Sequence, residues 1–368
     1  MINDERSRII EQLRKNIDAS LVSFLKTVKK DYKLHLVSPL LFESICDFTL
    51  REGKRLRPLL LVLTYKAYCP KAKEIAPELY NASTCMEFLH NFMLIHDDII
   101  DQSDLRRGKP TLHKILAHTV PTRNPHKLGV DLGIIAGDIV YALAIDAFLS
   151  IKEPLERKER ALKYFIQTAT FTAMGEFIDT VLGVKDISEV KEKEVFLNYT
   201  LKTARYTFDC PMVTGGILAG APEGDIKKLS EFGVLIGQAF QIQDDIIGIY
   251  ETEKNIGKSI LSDLAEGKKT IMVIHSYKNL KGPQRAQFLK IFQKKTKTLA
   301  DLEEVKKIFI EAGSLNYALK HVNTRLVKAQ KILAGLKMNL EYKSLIEGSL
   351  LKLFSHSQKI VALYQPRR

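Results

Sequence analysis

Tryptophan is absent from this 368-residue sequence, and cysteine is limited to Cys46, Cys69, Cys85 and Cys210. No two of these form a CxxC pair, which argues against zinc-finger and thioredoxin-like chemistry. Free thiols in a reducing compartment are expected instead. Unbroken apolar runs such as Pro58 to Leu63 fall far short of the roughly 20 residues a spanning helix needs. The opening MINDERSRIIEQLRKNI is charged throughout and lacks the apolar run of a signal peptide. A cytoplasmic chain that does not span a membrane is therefore expected. Several catalytic signatures are also missing. IGKS (Ile256–Ser259) fails as a P-loop because Thr252 stands where glycine is needed. Glu87 and His90 form one ExxH where a di-iron bundle needs two. His113 and His118 belong to no HExxH, and no Ser or Cys sits in a nucleophile-elbow context. Basic residues are not interleaved with aromatics, so no nucleic-acid partner is expected.

What is present is apolar content, charge and helical rhythm. Hydrophobic residues make up 45% and charged residues 27%, with a net charge of +13 and a pI near 9.3. That balance suits anionic partners: nucleic acid, phosphorylated substrates or an acidic membrane surface. Ile9, Ile10, Leu13, Ile17 and Leu21 recur at three- and four-residue steps, as on an amphipathic helix. Long stretches such as Leu79 to Ile100 contain neither Pro nor Gly, and breakers cluster between them. The expectation is an all-α bundle of about a dozen helices in one domain spanning 1–368. Its motifs fall at about 40–275, with lysine-rich outer helices over about 280–368.

The stretch HDDIIDQSDLRRGKPT (His96–Thr111) gathers Asp97, Asp98, Asp101, Asp104, Arg106 and Arg107. On a helix Asp97 and Asp101 share a face one turn apart, while Asp98 points away in a supporting position. Carboxylates this close repel and raise one another's pKa unless a cation intervenes. Mg²⁺ is such a cation, a hard ion that keeps waters and adds phosphate oxygens. QIQDDIIGIY supplies a second acidic pair, Asp244 and Asp245, with Gly248 where a third aspartate would fall. GKRLRP (Gly53–Pro58), RRG, Lys202–Thr203 and GKSILSDLAEGKKT (Gly257–Thr270) place Lys or Arg beside loops and helix ends. Arg binds phosphate as a fork and Lys as a point charge. Each feature alone reads as solvated charge; acid, metal and base together describe a site for a diphosphate substrate.

These motifs resemble, in order, those of the trans-polyprenyl diphosphate synthases. EFLHNFMLIHDDIIDQSDLRRGKPTLH is similar to the family's first aspartate-rich region and FQIQDDIIG to its second. GKRLRP, LKTA (Leu201–Ala204) and GKSILSDLAEGKKT fit the remaining motifs. The resemblance implies an all-α fold around a deep cavity, usually a homodimer. It also implies head-to-tail condensation of isopentenyl diphosphate with dimethylallyl, geranyl or farnesyl diphosphate. Up to three Mg²⁺ are implied, held by Asp97, Asp101 and Asp244, with Asp98 supporting. Arg106, Lys202, Thr203, Gln241, Lys258 and Lys268 are implied at the allylic diphosphate. Lys54, Arg57, His90 and Arg107 are implied at isopentenyl diphosphate. Gly248 departs from the fullest pattern, a departure shared with some active geranylgeranyl synthases.

Phe92 and Met93 lie five and four residues before Asp97, roughly 6–8 Å down the helix. Leu89 continues the descent. A ring at Phe92 is placed to act as a floor that stops chain growth, and such members typically make the C20 product. The alternatives are a longer-chain synthase for quinone side chains, a non-catalytic regulatory subunit, or an acidic ion-binding bundle. The segment HTVPTRNPHK (His118–Lys127) has no assigned role.

Overall fold

A computed structural model describes residues 2–69, 77–251 and 261–364 of the chain, with side chains for 5–69, 77–251, 261 and 264–354. It is all-α. Among the described residues the only strands are the two-residue pair β1 (Leu105–Arg106) and β2 (Lys109–Pro110), antiparallel with Leu105 opposite Pro110. Contacts divide the chain into two compact units. The first comprises Met1–Gln167, Cys210–Ile226 and Lys337–Ile346; the second comprises Thr168–Asp209, Lys227–Leu336 and Glu347–Arg368.

In the first unit, α1 (Ile2–Tyr32) buries Leu13, Ile17 and Leu21 of the stripe its periodicity implies and extends it to Phe24 and Val28, while Ile9 and Ile10 stay half-buried. Then come α2 (Leu34–Val37), α3 (Pro39–Leu50) and α4 (Leu56–Tyr68). Ser38 caps α3 by accepting from the Leu41 N–H at 3.2 Å, with Pro39 just inside the start. Next is α5 (Pro77–Ile100), which buries Leu79, Cys85, Met86, Phe88, Leu89 and Ile95 and delivers the first aspartates at its end. After the β1–β2 hairpin come α6 (Leu112–Leu116) and α7 (Pro125–Leu149). The previously unassigned His118–Lys127 segment now has a local role. Asn124 accepts from the Lys127 N–H at 3.0 Å, so Asn124–Pro125 caps and starts α7.

Long runs of apolar residues do not reveal α7 as apolar, because Asp131, Asp138 and Asp146 interrupt it. Averaged over 18 residues, however, its mean hydropathy is 1.9, and it is the one described helix long and apolar enough to cross a membrane. It packs along α5, and 44% of that apolar window is buried.

The second unit begins in α8 (Leu155–Val184) and continues through α9 (Glu192–Asn198). The next segment, Tyr199–Asp209, is a wide π-helical run, followed by α10 (Cys210–Ala219) in the first unit. The sequence marks this stretch only by its LKTA motif. The π form matters, since π turns are rare and concentrate at functional sites. The run lies tight between two glycines. A Cβ on Gly175 of α8 would meet the Lys202 nitrogen at 2.3 Å, and one on Gly237 would meet the Ala204 Cα at 2.3 Å. Gly237 lies on α11 (Glu223–Tyr250), which carries the second aspartate pair. Helices Ile271–Asn279, Leu299–Glu311 and Ser314–Ala334 complete the packing around Phe288, Phe309 and Val305.

Candidate active site

In the first unit the hairpin sets the cations. Its two central residues, Arg107 and Gly108, have φ of +54° and +73°, the left-handed conformations that a two-residue hairpin turn requires. Arg51 pins this hairpin by donating to the Arg106 carbonyl at 3.1 Å and the Pro110 carbonyl at 2.9 Å. Arg106 thereby reaches back to the end of α5. Its Nε donates to Asp98 Oδ1 at 2.8 Å, and its second guanidinium nitrogen donates to Asp97 Oδ2 at 3.0 Å. Burial pulls the Arg106 pKa down, but Asp98 and Asp97 outweigh it and raise it overall. Asp98 is 1% exposed; burial, with Asp97 adding, pushes its carboxyl up to about 6 although Arg106 opposes. Asp98 Oδ2 is buried with no hydrogen-bond partner among the described residues.

A second cationic group stands beside this one. Arg55 is buried at φ +47° and donates to Glu87 at 2.6 Å, to Asp18 at 2.8 Å and to the Arg51 carbonyl at 3.0 Å. Arg107 donates to the same Arg51 carbonyl at 3.3 Å and stands 3.9 Å from Glu87. His90 lies in their field. Burial, then Arg57, Arg107, Arg106 and Arg55, hold its imidazole well below its ordinary pKa and therefore neutral. Lys54 is exposed on the same loop. The structure thus gathers Arg57, His90, Arg106 and Arg107 around one concentration of positive charge.

In the second unit an open cleft of about 410 Å³ is lined by Asp179, Lys202, Thr203, Gln241, Asp245 and Lys268, together with Asn198, Tyr199, Lys269 and Thr270. Lys202 is held by Asp179 at 2.6 Å and Glu176 at 3.0 Å. Thr203 donates to Gln241 at 2.6 Å, and Gln241 donates to Asp245 at 3.0 Å. The buried Tyr199 hydroxyl donates to Asp245 and accepts from the Ile271 N–H at 3.0 Å. Burial, with Asp245 adding, raises the Tyr199 pKa well above the phenol value. Lys268 pairs with Glu266 at 2.8 Å.

Four of the expected residues, Lys202, Thr203, Gln241 and Lys268, therefore meet in one cleft. Asp244 is exposed and is not among the lining residues; its neighbour Asp245 is. Lys258 lies outside the described residues. Sequence reasoning missed Glu176 and Asp179, although two acids one turn apart on α8 repeat the logic applied to Asp97 and Asp101. Asn198, Tyr199 and Lys269 carry no comparable signal, because only the folded chain brings them to the cleft.

The sequence profile of the polyprenyl synthetase family matches residues 39–309. The chain belongs to that family. The match begins where the motifs begin and extends past them into the outer helices. The geranylgeranyl diphosphate synthase of Sulfolobus acidocaldarius is 34% identical over 282 residues, covering 76% of this chain and 79% of that protein. A short chain isoprenyl diphosphate synthase of Methanocaldococcus jannaschii is 34% identical over 306 residues, covering 83% and 84%. Among solved structures, the geranylgeranyl pyrophosphate synthetase of Pyrococcus horikoshii superposes with a TM-score of 0.79 at 29% identity, covering 96% of this chain and 99% of that one. As a polyprenyl synthetase family member the chain is a transferase, a prenyltransferase of isoprenoid synthesis.

Proposed function

We propose that this synthetase condenses isopentenyl diphosphate head-to-tail with an allylic diphosphate, in a Mg²⁺-dependent reaction, to give mainly the C20 product geranylgeranyl diphosphate. The observation that carries the reading is the acid cluster at the end of α5, where Arg106 already answers Asp97 and Asp98. The cluster fits a further hard cation. Asp98 Oδ2 is buried and unpartnered among the described residues, and the carboxyl is raised to about 6, largely by burial. Mg²⁺ is such a cation, one that keeps waters and takes phosphate oxygens. Asp97, Asp101 and Asp244 are the assigned ligands. When bound, Mg²⁺ neutralises charge growing on the departing diphosphate.

The chain's own groups do the rest. The allylic C–O bond breaks, and Arg106, Lys202 and Lys268 stabilise the diphosphate that leaves. Thr203 and Gln241 orient that group. Lys54, Arg57, Arg107 and neutral His90 hold isopentenyl diphosphate so that its alkene attacks the allylic carbon. A C–C bond forms, and loss of a proton from the adduct to the released diphosphate restores an alkene. No protein nucleophile is needed, in keeping with the sequence.

Chain length is assigned to Phe92, with Leu89 and Met93 lining the descent. The Phe92 ring is half-buried and braced, with its centroid 4.8 Å from that of Tyr141 and 4.8 Å from that of His96. A braced ring supports its assignment as a floor. The homodimer is carried over from the family resemblance, with exposed Ile134 and Ile135 on α7 available to a partner. Gly248 is the one feature that favours the regulatory-subunit reading. Turnover by the purified chain alone separates the two: catalysis without a partner excludes the subunit role, and none at all supports it.

A further inference from the structure

We propose that Arg325, on helix Ser314–Ala334, is a positioning residue for the diphosphate cleft, acting through Gln238 and Thr200 on the π-helical segment that carries Lys202 and Thr203. The inference rests on the prenyl-transfer reading for the role of that cleft. Arg325 Nε donates to Gln238 Oε1 at 2.8 Å. Gln238 Nε2 donates to Thr200 Oγ1 at 2.7 Å, and Thr200 Oγ1 donates to the Phe196 carbonyl at 2.8 Å. A guanidinium only donates. It therefore fixes the carboxamide with its oxygen outward and its NH₂ toward Thr200. Thr200, having accepted, turns its own proton back to the chain entering the π-helical run.

Arg325 is itself held rigidly. Its guanidinium lies 4.4 Å from the Phe196 ring centroid, and it bonds His321 Nδ1 at 2.9 Å and the His321 carbonyl at 3.2 Å. No carboxylate lies within ion-pair distance of it among the described residues; Glu192, held by Tyr317 at 2.9 Å, supports its charge from further away. A half-buried cation that spends its donors on neutral groups is a costly way to add stability alone. Its effect has a short path to the site. Gln238 follows Gly237, whose backbone touches Ala204, and precedes by one turn Gln241, which accepts from Thr203 at 2.6 Å. A displaced Gln238 moves the register that aims Thr203 and Lys202, and a misplacement near 1 Å costs on the order of 100-fold.

Three variants test this: Arg325→Met, Arg325→Lys and Gln238→Glu. The last keeps an acceptor for Arg325 but removes the donor to Thr200. Arg325→Met and Gln238→Glu are expected to raise KM for the allylic diphosphate about tenfold, with KM for isopentenyl diphosphate within about twofold. Arg325→Lys is expected to recover part of the loss. Amide exchange over 199–209 should quicken about tenfold in the first two variants, while 39–50 is unchanged. Unaltered exchange at 199–209 in a folded Arg325→Met, or equal shifts in both Michaelis constants, overturns the proposal. Should Arg325→Met not fold, Gln238→Glu carries the same two readouts. The exchange experiment needs no turnover, so failure of the wild-type chain to condense prenyl diphosphates would sink the reaction reading alone.

Discussion

Asp97 and Asp98 differ by one position and play different parts. Asp98 is buried against Arg106, whereas Asp97 keeps 19% of its side-chain surface exposed and shares the same guanidinium. Asp97→Ala is expected to lower kcat by at least about 100-fold, since it removes charge compensation at the leaving group. It should shift Tm by no more than a few degrees, because Arg106 keeps its bonds to Asp98 and a partly exposed ion pair contributes little to folding. Assay and thermal denaturation of one preparation check both, and retained activity would contradict the ligand assignment. His90 gives a test independent of turnover. Unfolded histidine titrates near 6.5, and folded His90 well below that. Below 6.5 the unfolded chain therefore binds more protons, so stability falls as pH drops through that window. His113, His275 and His321 act with the same sign. His90→Gln should flatten the decline in Tm between about pH 6.5 and 5; an unchanged slope would mean His90 is not held neutral.

At the scale of elements, the apolar stripe of α1 was legible: Leu13, Ile17 and Leu21 are buried, although Ile9 and Ile10 near its start are only half-buried. The aspartates and arginines of His96–Thr111 were legible too, because their spacing is local. The π-helical run was not. Its width is set against two glycines on other helices, and no window of sequence contains both contacts. Nor was the β1–β2 hairpin, since its four paired residues show no alternation and only Arg107–Gly108 marks the turn. Gly237→Ala tests that packing. The added methyl would meet Ala204 at 2.3–2.4 Å, so a loss of about 1–3 kcal/mol is expected in denaturant unfolding. No loss would mean the run can move aside. On α5, Phe92→Ala should lengthen the product beyond C20; an unchanged product would remove Phe92 as the floor.

For the molecule as a whole, the sequence motifs point to one chemistry and the fold supplies two charged sites, one in each unit. One carries the first aspartates with Arg106, Arg107 and His90; the other carries Lys202, Thr203, Gln241 and Lys268. The proposed prenyl transfer draws on both: Arg106, Lys202 and Lys268 are assigned to the allylic diphosphate, and Arg107 and His90 to isopentenyl diphosphate. The most direct test is product analysis: purified chain, labelled isopentenyl diphosphate and farnesyl diphosphate, with Mg²⁺ or with a chelator. A C20 prenyl diphosphate that forms with Mg²⁺ and vanishes with the chelator is the result predicted. No condensation product, or one formed equally well with the chelator present, would contradict it.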